Sequence, residues 1–223
     1  MQVKRKITAL KAQKRNNQRV NVYLDGEYAF GVARIVAAWL QVGQELTPEK
    51  IAQLKEEDEC EVAYQKALKF LSYRERSEAE VKENLEKGGY PEAVITEILE
   101  RLNRSGLLND QRFAEHWVEN RSEFRPRGTR ALSFELKRKG LSQETIDTAL
   151  QGIDEEELAY KAAIKKSRKL IQLDWTDFRK KMYAHLAQRG FSYEAISPVV
   201  QRAWDEQHNN STDNNGTYEE VDL

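Results

Sequence analysis

Apolar positions return along this chain in one step written three times, Leu85/Gly89, Leu136/Gly140 and Leu186/Gly190, spaced 51 and then 50 residues apart. Four residues before each Leu stand Val81, Leu132 and Met182; six after each Gly stand Ile95, Ile146 and Ile196, and ten after it Leu99, Leu150 and Val200. An i, i+4 stripe, a glycine and a second i, i+4 stripe predict two consecutive amphipathic helices joined at that glycine. A unit this small cannot bury its stripe alone and must stack on its neighbours. The spacing therefore predicts an elongated, curved array rather than a globule around one cleft.

Each unit has room for three helices. In the first, Tyr64, Ala67, Leu68 and Leu71 form a helical stripe, Ser77 to Glu80 reads as a capping box, and Pro91 opens the third helix. Gly106 stops that helix, and Leu107-Leu108-Asn109-Asp110 leads into Phe113, Trp117 and Val118 of the second unit. There Pro126-Arg127-Gly128 breaks the chain before a helix carrying Leu132 and Leu136, and Ser142 caps the next. The third unit runs through Tyr160, Ala163, Ile164 and Ile171, then Phe178, Met182 and Leu186, then Phe191, Ile196 and Val200.

The first 56 residues have another texture. Val20, Val22, Tyr28, Phe30 and Val32 alternate with polar or small residues around Leu24-Asp25-Gly26, which predicts a β-hairpin. A two-residue Asp25-Gly26 loop would divide the five apolar residues between two faces. A three-residue Leu24-Asp25-Gly26 loop, with Gly26 left-handed in a bulge, would pair 22 with 28 and 20 with 30 and gather all five; this register is the expected one. Lys6 to Lys14 can supply a third strand, a short helix is expected near Ala33–Leu40, and Thr47-Pro48 caps and starts another.

The fold class expected is thus mostly α: an N-terminal β-hairpin region (1–56), three-helix units at 57–108, 109–152 and 153–204, and a disordered acidic tail (205–223). Asp205 to Leu223 holds six of the 37 acids and no Lys or Arg, so residues 1–204 carry 36 bases against 31 acids. The tail is too polar to offset its ordering entropy. It could serve as an acidic competitor for a basic face, or simply as a solvated tail. One cysteine, Cys60, excludes an intrachain disulfide, and there is neither a signal-like nor a membrane-length apolar run. A soluble, intracellular protein is expected.

The chain has no Walker loop, Rossmann glycine triplet, nucleophile elbow or His-Glu-x-x-His helix. Glu80-x-Lys82 and Glu135-x-Lys137 have a nuclease-like spacing, but on a helix a two-residue step turns side chains about 200° apart, so they diverge. His116, His185 and His208 are scattered and read as surface or boundary residues. No catalytic residue, metal site or cofactor is expected.

The informative chemistry is cationic. Arg121, Arg125, Arg127, Arg130, Lys137, Arg138 and Lys139 crowd into 19 residues with only Glu123 and Glu135 as counterweights. With Leu132 and Leu136 turned inward, Arg130, Phe134 and Lys137 fall within about 60° of one another on the opposite side of their helix. A ring framed by cations suits phosphates and stacked bases, or an acidic groove on a protein. The alternative is that Phe134 packs on a neighbouring unit and the cations are merely solvated. Lys161, Lys165, Lys166, Arg168 and Lys169 with Arg179, Lys180 and Lys181 suggest that the track continues, and Lys4 to Arg19 form a third basic group.

Arg74-x-Arg76-Ser77-x-x-Glu80-Val81, Gly106-Leu107-Leu108-Asn109-Asp110-x-Arg112-Phe113-Ala114, Arg121-x-x-x-Arg125-Pro126-Arg127-Gly128 and Leu132-x-x-Glu135-Leu136-x-x-Lys139-Gly140 resemble the signatures of RecX regulatory proteins. The resemblance covers about 63–152, weakens over the third unit, and likens the N-terminal region to an extension of some members. It implies a cytoplasmic, non-enzymatic regulator lying in the groove of the RecA filament and modulating, mostly inhibiting, its ATPase, coprotease and strand-exchange activities. Motif and surface together nominate Trp117, Arg121, Arg125, Arg127, Arg130, Phe134 and Lys137 as contacts to the RecA filament, protein plus single-stranded DNA. Leu107, Leu108, Phe113, Leu132, Leu136 and Gly140 are expected to serve folding. A monomer is expected. The rival readings are a sequence-independent DNA-binding helical protein and a structural adaptor.

Overall fold

In a computed structural model that describes residues 3–212, the chain divides into two compact units, one reaching Leu108 and the other starting at Asn109. The first unit opens with an antiparallel sheet of four strands, β1 (Arg5–Gln13), β2 (Asn16–Leu24), β3 (Glu27–Ala33) and β4 (Glu45–Leu46), in the order β3-β2-β1-β4. β1 is the third strand expected from Lys6 to Lys14; the two-residue β4 pairs with its start, Arg5 opposite Leu46. Ile7, Val22, Leu24, Phe30 and Val32 form the sheet's buried face, closed by Ala37 and Leu40 from a 3-10 turn and its end, and by Leu46 and Leu54.

The hairpin register differs from the expected one. Leu24 pairs with Glu27, so the loop is Asp25-Gly26 alone, with both residues left-handed at φ 52° and 89°. Asp25 is held there because its carboxylate accepts from the Arg5 Nε and the Lys6 amide, at 2.9 and 3.0 Å. The bulge lies further along, between the Tyr23–Tyr28 and Val22–Phe30 pairs. Ala29 is the extra residue, and it restores Val20, Val22, Phe30 and Val32 to a common face. Only Tyr28 is lost to the other side, where its ring meets Tyr23 edge-on. Leu24 is therefore a buried strand residue.

Helix α1 (Pro48–Leu71) begins as read, with Thr47 accepting from the Lys50 amide and Pro48 in the first turn. It continues without interruption past residue 57: Leu54 packs under the sheet, while Ala63 and Ala67 enter the core of the first helical unit. Asp58 fastens helix to sheet, accepting from Arg19 and from the Ala33 amide. Helix α2 (Glu78–Glu86) starts with the expected capping box, Ser77 and Glu80 each satisfying the other's backbone amide, and Arg74 pairs with Glu80 at 2.8 Å. Helix α3 (Glu92–Arg104) follows Pro91 and packs, with α2, on α1.

The second unit repeats this arrangement twice: α4 (Asp110–Phe124), α5 (Thr129–Arg138) and α6 (Gln143–Leu150), then α7 (Glu155–Ser167), α8 (Trp175–Gln188) and α9 (Tyr193–Thr212). In each triplet the first helix packs chiefly on the third. The recurrent Leu-to-Gly step is a helix-ending device. Gly89, Gly140 and Gly190 take φ of 80°, 82° and 84°, and the next amides, of Tyr90, Leu141 and Phe191, reach back to the carbonyls of Leu85, Leu136 and Leu186. This is the six-to-one bond of a Schellman cap, and it folds the residue after the glycine back toward the core. Leu141 and Phe191 are buried there.

Three further expectations are corrected. Leu107 is exposed, because the Gly106 cap turns it outward and leaves Leu108 to enter the core. Ile171 is exposed beyond the end of α7, and Leu170 takes the buried place. Helix α9 runs on to Thr212, so the segment from Asp205 does not begin as tail: Glu206 accepts from Tyr160 and Arg202. The rest of the expected tail lies outside the described residues. Among those described, no helix is long and apolar enough to cross a membrane.

Candidate partner-binding surface

The second triplet holds all seven nominated residues, and the structure sorts them into two groups. Trp117 and Arg121 sit one turn apart on α4, and across from them α5 presents Glu135. The Trp117 Nε1 donates to Glu135 Oε2 at 2.8 Å and Arg121 Nε to the same oxygen at 2.9 Å, while Arg127 Nε forms an ion pair with Oε1 at 2.9 Å. Arg121 lies over the Trp117 ring at 4.3 Å and Lys139 at 5.3 Å, while Phe113 packs beside that ring. The Glu135 side chain is only 18% exposed, so this carboxylate is satisfied almost entirely by these three partners. Trp117, Arg121 and Arg127 thus hold α4, the loop and α5 together.

Arg125, Arg130, Phe134 and Lys137 form the second group, and all four are exposed. Phe134 is 62% exposed on the outer face of α5. Among the described residues of the second compact unit no helix covers it, so the third triplet does not take it up. Arg138 stands 6.0 Å from its ring centroid, and Arg130 and Lys137 flank it one turn away on either side. Among the described residues neither Arg130 nor Lys137 forms an ion pair. Lys137 also stands apart from Glu135, whose carboxylate turns to α4, so the Glu-x-Lys pair diverges as helix geometry requires.

Sequence reasoning passed over the groups that link the second triplet to the third. Gly128 donates its amide to the Arg189 carbonyl at 3.0 Å, and Arg189 Nη1 donates to the Pro126 carbonyl at 3.0 Å. Glu155, at the start of α7, accepts from the Thr129 amide and hydroxyl and from Ser192. Arg189 is half-buried, and burial, with Arg127 and Arg125 nearby, pulls its pKa down. His185, one turn earlier, is likewise held below the usual histidine value by burial first and then by Arg189 and Lys166. The signal for these contacts was the Arg-Pro-Arg-Gly stretch, which reads locally as a helix break and reveals nothing of its distant partners.

Family models match almost the whole described chain: the regulatory protein RecX N-terminal domain over 5–47, and the first, second and third RecX three-helix domains over 63–102, 109–150 and 154–200. The chain belongs to the RecX family. The match takes in the third triplet and the N-terminal sheet, where the sequence resemblance was weak or confined to an extension. Among RecX relatives, the regulatory protein of Bacillus licheniformis is 37% identical over 200 residues, covering 87% of this chain and 76% of that one. The regulatory protein RecX of Clostridium beijerinckii is 32% identical over 205 residues, 88% of this chain and 95% of its own. A crystal structure of regulatory protein RecX superposes with a TM-score of 0.73 at 32% identity, covering 90% of this chain and 99% of that one. RecX from Lactobacillus salivarius gives 0.60 at 26% identity over 66% of this chain and 97% of its own.

Proposed function

We propose that this RecX protein binds the RecA recombinase filament in its groove and modulates, chiefly by inhibition, its ATPase, coprotease and strand-exchange activities. It acts in the cytoplasm, as a monomer, without a cofactor and without chemistry of its own. The observation that carries the site is the exposed Phe134 ring framed by Arg130, Lys137 and Arg138. An exposed aromatic among unpaired cations supplies desolvated area and oxyanion-seeking donors together, the composition of an interface anchor. Arg125 extends the surface. Trp117, Arg121 and Arg127 stand behind it as its frame.

Regulation then follows from linkage: the protein shifts a filament between its forms only if it binds them unequally. The test is RecA ATPase activity on single-stranded DNA, titrated with wild-type protein and with Arg130→Glu/Phe134→Ala/Lys137→Glu at several salt concentrations. Substoichiometric inhibition by the wild type, unrelieved by excess duplex DNA and lost in the folded triple variant, is expected. Relief by duplex DNA would favour the sequence-independent DNA binder, and no effect of the wild type would leave a structural adaptor.

A further inference from the structure

The end of α4 and the loop after it face α7 and α8 across a cleft to which each of these segments except α4 contributes a basic side chain. Arg125 and Arg127 come from the loop, Lys166 from α7, and His185 and Arg189 from α8. Arg127 is neutralised on its far side by Glu135. Among the described residues, Arg125, Lys166, His185 and Arg189 have no carboxylate partner. The cleft is also braced: Lys165 donates to the Phe124 carbonyl at 3.5 Å, and the Arg189 guanidinium holds Pro126. Phe124 lines it too and is 62% exposed.

Like charges gathered on a half-buried floor repel one another, and the arrangement becomes favourable when an anion enters. We propose that this cleft binds single-stranded nucleic acid, a backbone phosphate resting among Arg125, His185 and Arg189 while a neighbouring base stacks on Phe124. Guanidinium groups match phosphate oxygens, and every base offers a face to an exposed ring. A duplex keeps its bases stacked and cannot use the ring. An acidic peptide would satisfy the cations but leave the ring in water.

Binding is proton-linked. His185 faces Arg189 on its own helix, Lys165, Lys166 and Lys169 from α7 and its end, and Arg125 and Arg127 from the loop. All are cations that oppose its protonation, and a phosphate reverses that balance, so the bound state takes up a proton and affinity rises as pH falls.

The site shares Arg125 with the proposed contact surface but none of Arg130, Phe134 and Lys137, and it is independent of the recombinase reading, since the test needs only the full chain. Fluorescence anisotropy with a short labelled oligothymidylate is expected to show salt-sensitive binding, about tenfold weaker in Phe124→Ala. Lys166→Gln should reduce the salt slope, and His185→Gln should flatten the pH dependence between pH 7.5 and 5.5. Circular dichroism verifies that each variant is folded. The proposal is overturned if the oligothymidylate does not bind at low salt, if folded Phe124→Ala binds as wild type, or if His185→Gln keeps the full pH dependence. Equal competition by a duplex of the same length, or by polyglutamate against wild type and Phe124→Ala alike, would assign the cleft to another class of anion and equally overturn it.

Discussion

Gly128 and Gly190 meet backbone to backbone. A Cβ placed on Gly128 would run into the Gly190 carbonyl, and one placed on Gly190 into Ala131. The second glycine ends α8 with a left-handed φ of 84°, while the first has an ordinary φ of −71° and is small only because of the contact.

Gly128→Ala should therefore destabilise the second unit without any conformational strain of its own. Overpacking a close contact costs about 1–3 kcal/mol. Thermal melting should show the loss, accompanied by weaker protection of the Gly128 and Thr129 amides in hydrogen exchange. An unchanged melting temperature would mean that the two triplets are free to draw apart.

Removing the Glu135 charge tests the frame behind the proposed contact face. Glu135→Gln keeps the side-chain size but withdraws a charged acceptor from Trp117 and Arg121 and an ion-pair partner from Arg127. Hydrogen bonds to charged groups contribute about 1.5–3 kcal/mol, so a stability loss of about 2 kcal/mol in denaturant titration is expected, with altered near-ultraviolet dichroism from Trp117. By contrast, Arg130→Ala and Lys137→Ala, on a solvated face, should change stability by less than about 0.5 kcal/mol. Comparable losses at all three positions would contradict the division into frame and face.

His185 makes the second unit sensitive to acid. Its pKa is lowered in the folded protein by burial and by Arg189 and Lys166, so between the folded and unfolded values the unfolded chain binds more protons. Its contribution is complete above the ordinary value of 6.5 and is lost as pH falls through the folded one. Melting temperature should fall between pH 7.5 and 5.5, and less steeply in His185→Gln. Added phosphate should restore part of the loss.

Cys60 should be sluggish toward alkylation. Burial first, and then a hydrogen bond to Glu97 at 3.3 Å, push its thiol up to about 11. Since the thiolate is the nucleophile, iodoacetamide at pH 8 should modify it far more slowly than an ordinary thiol. Glu97→Gln should speed the reaction. Equal rates for native and urea-unfolded protein would refute the shift.

The amino-acid sequence by itself determined the helices, their ends and their threefold recurrence, because those depend on neighbours a few residues apart. The Leu-to-Gly step is a local cap, Ser77 and Glu80 close their own box, and Thr47, Asn109 and Ser142 each accept from an amide three residues on. The side of α5 on which Phe134 stands was likewise implied by the angle between it and Leu132 and Leu136 on a single helix, while its exposure was left open.

Only the tertiary structure decided what the cations do. Charge density along the chain placed Arg121, Arg127 and Arg130 in a single patch, yet Glu135 claims the first two and leaves the third exposed, a distinction made by packing α4 and α5 on α6. Packing also joined Arg125 to His185 and Arg189, and moved the hairpin bulge from Gly26 to Ala29. Helix ends are settled by hydrogen bonds within a turn or two. Electrostatic partners and close backbone contacts are settled by whichever distant segments the folded core brings within a few ångströms.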